Sequence, residues 1–213
     1  MKIMILGAAG QVARLLTDDL LDQTDFQLVL YGRNVSTRLA EKASERVDLV
    51  DGTFEDVAKI QDALKQGVDA VYLNYVAGDA LVKPIVDVLE KMKVSRFIAA
   101  SVPDLYQEVA GPFAAWYRQQ MGKVWQSKYR QAADVIEGSP LDYVLLRITW
   151  MYNDAQHTQV HLTTKGQPFT ESQVTREGVA QLVTDLLTGK QDYHRESLGV
   201  GEPNTAWRKP SFY

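Results

Sequence analysis

Positions 3–6 of the chain are all apolar, and Gly7 follows them, the pattern of a short strand buried on both faces. After Gly10 the period changes. Val12, Leu15, Leu16, Leu20 and Leu21 recur at spacings of three and four, with Asp18, Asp19 and Asp22 opposite, which predicts an amphipathic helix over 11–21. The alternation then repeats. Apolar runs predict strands at 26–31, 46–50, 69–73, 96–100 and 143–147, and helical spacing falls at 54–64, 81–92 and 125–137. Ser36 is placed to cap a further helix running to about Ser44. A long loop with proline, glycine and aromatic residues precedes position 125. Beyond Trp150 the pattern weakens to a helix over 174–187 and a last edge strand at 196–200.

Short apolar runs alternating with helices imply right-handed crossovers and a mostly parallel sheet. The expectation is an α/β, Rossmann-type doubly wound fold with helices on both faces and strand order 3-2-1-4-5-6. It comprises one domain over 1–213, with a core at 1–150 and a small C-terminal extension, 151–213, closing the substrate side. The 213 residues contain no cysteine, which excludes disulfides, thiolate nucleophiles and thiolate metal sites. With 23 basic against 27 acidic residues, the net charge of -4 argues against broad binding of nucleic-acid phosphates. No apolar run approaches the ~20 residues of a membrane span, and 3–6 is far shorter than the ~7–15 residues of a secretory core. Asn34-Val35-Ser36 matches a glycosylation acceptor by chance in this context. A soluble, cytoplasmic chain is expected, monomeric or homodimeric, with no membrane or nucleic-acid partner.

The turn Gly7-Ala8-Ala9-Gly10-Gln11-Val12-Ala13 joins the first strand to the first helix, where a dinucleotide fingerprint belongs. Gly7 permits the tight turn. Gly10 keeps a side chain away from the approaching pyrophosphate, and the free N–H groups from Ala9 to Val12 face its charge. Alanine, Ala13, holds the third small position. Where the second strand ends, a cofactor lacking a 2′-phosphate usually meets a carboxylate. Here the residues are Tyr31-Gly32-Arg33-Asn34, and Asp25 lies at the strand's other end. Arg33, with Arg38 as a second contributor, suits a 2′-phosphate, which favours NADP(H) over NAD(H). Asp51-Gly52 after the third strand is placed either to touch the adenine or to form a plain turn.

Together the GAAGQVA turn, the arginine after the second strand, RFIAAS at 96–101, LDYVLLR at 141–147 and VTREGVA at 174–180 make the chain similar to the atypical short-chain dehydrogenase/reductases. Within them it resembles the NmrA-like, NAD(P)-binding group, which includes flavin, biliverdin and quinone reductases. The resemblance implies an extended Rossmann fold with the nicotinamide near the ends of the fourth and fifth strands. That would set Tyr75, Val76 and Ala77, and also Ser101, Val102 and Pro103, beside its reactive end.

Standard members of the superfamily carry a Tyr with a Lys four residues later, the Lys lowering the phenol's pKa for proton exchange. None of the ten tyrosines here has that Lys, and alignment on the helix before 141–147 brings the two positions near Gln126 and Arg130. Hydride transfer to a flavin or quinone needs no positioned protein acid. The sequence therefore leaves two readings open: an NADP(H)-dependent reductase of a small quinone, flavin or carbonyl acceptor, or a non-catalytic redox sensor. Ser101 is the one well-placed hydroxyl for a substrate carbonyl, and it also suits ending the strand. Tyr106, Trp116, Tyr117, Trp150 and Tyr152 are candidates for a flat aromatic pocket or its lid. The tail 207–213 is predicted to dock on the chain's own surface or on a second subunit. His157 and His161 lack a third partner, and no metal is expected.

Overall fold

The computed structural model describes residues 1–213. In chain order its elements are β1 (Lys2–Leu6), α1 (Gln11–Gln23), β2 (Gln27–Gly32), α2 (Val35–Arg38), β3 (Val47–Asp51), α3 (Val57–Leu64), β4 (Ala70–Leu73), α4 (Asp79–Lys91) and β5 (Arg96–Ser101). They continue with α5 (Phe113–Met121), α6 (Lys128–Gly138), β6 (Tyr143–Ile148), β7 (Trp150–Tyr152), β8 (His161–Thr163), β9 (Gln173–Thr175), α7 (Arg176–Thr188) and β10 (Glu196–Gly201). Eight strands form one sheet in the order β3-β2-β1-β4-β5-β6-β10-β8, parallel except for β8. The expected Rossmann order is present. β10 differs from expectation: it is an interior strand, because β8 pairs antiparallel along its far side. β7 and β9 make a separate parallel pair.

The strand alternation explains why β1 is apolar throughout. Ile3 and Ile5 enter the core on one face, with Val12, Leu16 and Leu20 of α1 and Val179, Val183 and Leu187 of α7. Met4 and Leu6 enter the opposite core, with Ile60 of α3, Ile85 and Leu89 of α4, and Ala132 and Ile136 of α6. A strand buried from both sides has no solvent face, so its sequence shows no alternation of polar and apolar residues. No helix is long and apolar enough to cross a membrane.

Several helix limits differ from the sequence pattern: the helix expected over 174–187 starts at Arg176, since Val174 and Thr175 belong to β9, and others differ for local reasons. The helix expected from Ser36 to about Ser44 is a four-residue α2 followed by a short 3-10 turn, Ala40–Lys42. Asn34 precedes it in the left-handed region at φ 54, a conformation asparagine tolerates. α3 starts at Val57 rather than at position 54, because the Asp56 carboxylate caps the Lys59 N–H at 3.2 Å. That leaves Phe54 in the preceding loop. Ser127, extended at φ -105 and ψ 172, accepts from the Tyr129 N–H and starts α6, dividing the helix expected over 125–137. Inside the supposed long loop lies α5, bounded by Pro112 and Gly122, with Phe113 and Tyr117 buried one turn apart.

Candidate functional site

All the strand ends that matter meet on the carboxyl edge of the sheet, beside the point between β1 and β4 where the strand order reverses. Two cavities open there. One, of about 610 Å³, runs over the glycine turn: Gly7, Ala9 and Gly10 form its floor, and Arg33, Arg38 and Phe54 stand around it. The other, of about 410 Å³, lies over the ends of β4, β5 and β6. Tyr75 belongs to the walls of both.

Gly7 sits at φ +83, where an L side chain is strained, and a Cβ there would press on Phe54 at 3.3 Å. Gly10 has an ordinary φ of -71, so its restriction is spatial: a Cβ would run into the side-chain amide of Asn74. The Ala9 carbonyl accepts from Arg38 Nη2 and Arg14 Nε, both at 3.3 Å. The short α2 is what turns Arg38 back over the glycine turn. The Asp51 carboxylate is held by Ser36, through the backbone N–H at 3.0 Å and through Oγ. These bonds hold the exposed Asp51 carboxyl below its usual range. Asp51 is therefore turned away from the cleft, whereas Gly52 lines it. The Tyr31 hydroxyl, donating to the Thr53 carbonyl at 2.8 Å, fixes that stretch, and a Cβ on Gly52 would strike it. Gln11 is exposed at the start of α1, and Val12 is buried beneath the turn.

In the second cavity, Val76 and Val102 join Ser101 and Pro103, while Ala77 faces the first cleft. Three buried polar atoms of residues lining this cavity have no hydrogen-bond partner: Asn74 Oδ1, Ser101 Oγ and Thr149 Oγ1. Of the five aromatics considered from the sequence, Tyr117 and Trp150 line the wall. Trp116 packs behind them, 4.9 Å from the Trp150 ring. Tyr106 and Tyr152 are elsewhere, bonded to Glu137 and Glu202 respectively. The tail docks on the chain itself: Tyr213 accepts from Trp150 Nε1 at 3.1 Å, and Phe212 and Tyr213 complete the wall.

Neither Tyr75 nor Tyr117 is primed to give up a proton. Tyr117 donates to the Pro103 carbonyl at 2.7 Å, and burial first, then Asp104 and Glu108, push its phenol far up. Tyr75 pairs with the Tyr129 hydroxyl at 3.3 Å, which with partial burial pushes it up to about 12. Gln126 and Arg130 do not line the cavity; Arg130 is held by Asp134 and the Leu105 carbonyl. The two histidines pair separately, His157 with Asp154 at 2.8 Å and His161 with Glu171 at 2.6 Å.

A glycine turn at the strand-order reversal, opening on a cleft with two arginines, defines a Rossmann-type nucleotide-binding protein. Residues 7–190 match the NAD(P)H-binding family. A short-chain dehydrogenase/reductase of the wide type from Veillonella parvula, crystallised with NADP, is 35% identical with a TM-score of 0.92, covering 99% of both chains. The chain belongs to the NAD(P)H-binding, short-chain dehydrogenase/reductase-type Rossmann proteins. A Rossmann-fold NAD(P)-binding family protein from Shigella flexneri is 26% identical with a TM-score of 0.81, covering 100% of this chain and 98% of its own. ChuY, an anaerobilin reductase from Escherichia coli, shares the fold at a TM-score of 0.75 and 18% identity, covering 99% of this chain and 100% of its own. No curated protein matches the chain in sequence.

Proposed function

We propose that the protein is an NADP(H)-dependent oxidoreductase that reduces a small quinone, flavin or carbonyl acceptor. The observation that carries this reading is the pair of cavities joined at Tyr75, one polar and arginine-bearing, the other apolar and aromatic. The residues present fit the cofactor. Gly7, Ala9 and Gly10 line the cleft, where a Cβ on either glycine would press on Phe54 or Asn74, next to a helix start that attracts negative charge. Arg33 and Arg38 would take the 2′-phosphate, in a cleft that Thr53 and Phe54 also line. Tyr75, Val76 and Ala77, with Ser101 and Val102, would hold the reactive end, near Asn74 Oδ1 and Ser101 Oγ, which have no partner. When bound, a reduced nicotinamide supplies the hydride, and water can supply the acceptor's proton. Ser101 is the candidate to orient the acceptor carbonyl. The crystallisation of the V. parvula relative with NADP supports the phosphate preference.

Thermal shift tests it. A ligand of the folded state raises the melting temperature with its concentration relative to Kd. NADPH is expected to shift the protein more than NADH does. Arg33→Ala should bring the NADPH shift down towards the NADH shift, as a Kd roughly tenfold weaker for losing one charge-assisted contact. Equal shifts with both cofactors, unaffected by the substitution, would refute the preference. A second reading, a cofactor-bound redox sensor, is favoured by the engagement of Tyr117 with Pro103 and the lack of a Tyr/Lys pair. A panel of quinones, flavins and aldehydes that elicits no NADPH oxidation, with cofactor bound, would select it.

A further inference from the structure

We infer that Arg14 is a positioning residue for the NADP(H) preference, holding Arg38 over the glycine turn while touching no ligand itself. The inference rests on the NADP(H) reading proposed above and says how the cleft achieves it. Arg14 lies in the first turn of α1 and is half-buried. It is not part of the cleft wall, whereas Arg33 and Arg38 are. Its guanidinium spans two backbone carbonyls. Nε donates to Ala9, inside the glycine turn, at 3.3 Å, and Nη2 donates to Arg38, the last residue of α2, at 3.2 Å. Arg38 Nη2 donates to the same Ala9 oxygen at 3.3 Å. One side chain therefore ties together α1, the turn and the end of α2.

α2 has only four residues, too few to hold its last residue by its own hydrogen bonds. The carbonyl that ends such a helix needs a donor from outside, and Arg14 supplies it. A planar guanidinium can reach both carbonyls at once; an ammonium point charge serves one of them less exactly. The charges in the cleft single out Arg38. Glu55 is the carboxylate in the cleft wall. The Thr53 hydroxyl, its own backbone N–H and the charge of Arg33 hold its carboxyl below the usual range. Arg33 is thus partly neutralised, while Arg38 and Arg14 meet only backbone oxygens. Two guanidiniums on one carbonyl oxygen repel each other, and a phosphate dianion beside them relieves that repulsion. A ribose without a 2′-phosphate gains nothing from it, so the arrangement separates the two cofactors.

Isothermal titration calorimetry with NADP+ and NAD+ tests the assignment on wild type, Arg14→Met, Arg38→Met and the double variant. The wild type should prefer NADP+. Arg14→Met should lower that preference about fivefold, an ordinary coupling between contacting residues, with the Kd for NAD+ unchanged. In the Arg38→Met background the same substitution should change the preference little, because Arg14 acts through Arg38. Arg14→Lys should recover part of the loss. Lys42→Met is the control for loosening alone. It removes the ion pair between the turn after α2 and Asp18 of α1, and should leave the preference intact. Should Arg14→Met fold poorly, the cycle is run with Arg14→Lys, whose smaller loss must still vanish in the Arg38→Met background. A preference that survives Arg14→Met, falls equally with and without Arg38, or falls as far in Lys42→Met overturns the inference and leaves the NADP(H) reading standing. Equal wild-type affinities for the two cofactors would overturn that reading, and the inference with it.

Discussion

Arg147→Met is expected to lower stability by about 3–5 kcal/mol, the cost of stranding one member of a buried ion pair. At ~2–4 °C per kcal/mol for a chain of this size, the melting temperature should fall by roughly 6–20 °C. Arg147 is fully buried on β6, and its Nη1 donates to Glu108 Oε1. Its Nη2 donates to the carbonyls of Thr163 and Ser197, both at 3.1 Å. Glu108 in turn accepts from the N–H groups of Asp104 at 3.0 Å and Tyr106 at 2.8 Å, so this pair shapes the loop after β5. Methionine would fill much of the volume but leave the carboxylate unpaired. In the double variant Arg147→Met/Glu108→Gln, the loss should be smaller than the sum of the two single losses, because the stranded charge is gone. Lys83→Met is the control. It breaks an exposed pair with Asp87, 64% and 56% accessible, and such helix pairs contribute only about 0.3–0.5 kcal/mol. Thermal denaturation of the four variants decides the matter, and a loss at Arg147 no larger than at Lys83 would contradict it.

The second large effect concerns cofactor binding. Gly10→Val should remove nearly all the stabilisation that NADPH confers, which at one hundred times Kd amounts to about 2.7 kcal/mol. Because φ at Gly10 is -71, valine is not excluded by backbone strain, but its Cβ overlaps the Asn74 amide, which must move aside in the cleft over the glycine turn. Without NADPH, Gly10→Val should therefore melt below wild type by the cost of that shift, and NADPH should widen the gap by nearly its full stabilisation of the wild type. Gly138→Ala serves as the comparison, since a Cβ there meets nothing within 4 Å and should leave the NADPH shift intact. A full shift in Gly10→Val would place the cofactor elsewhere.

Much of this fold was readable from the chain because doubly buried strands and amphipathic helices write different periods, as β1 and α1 do. The glycine turn and Arg33 were legible for the same reason: each sits at a fixed offset from a strand end. Arg38 gained its position because Leu39, at φ -129 and ψ 24, ends α2 there against the helical spacing that runs on to Ser44. Asp51 reads as a candidate by position, yet its fate depended on Ser36, a contact between α2 and the end of β3 that no local pattern encodes. Asn74, Thr149 and Arg176, which line the cavity over β4, β5 and β6, escape notice in the sequence for a similar reason. Each is a single polar residue just beyond a strand, and only the parallel register of β4, β5 and β6 brings Asn74, Ser101 and Thr149 together. The tail's place in the wall depends on the Trp150–Tyr213 contact, 63 residues apart.

The sheet order carries a consequence for synthesis. β6 is buried along all six of its residues, and the strand that covers its outer edge is β10, with partners such as Arg147 and Ser197 separated by 50 positions. While those positions are still being added, the growing chain presents an uncovered apolar strand edge, the kind that pairs with other chains. Slowing translation between codons 148 and 196 should therefore raise the insoluble fraction, and a chaperone that shields sheet edges should lower it.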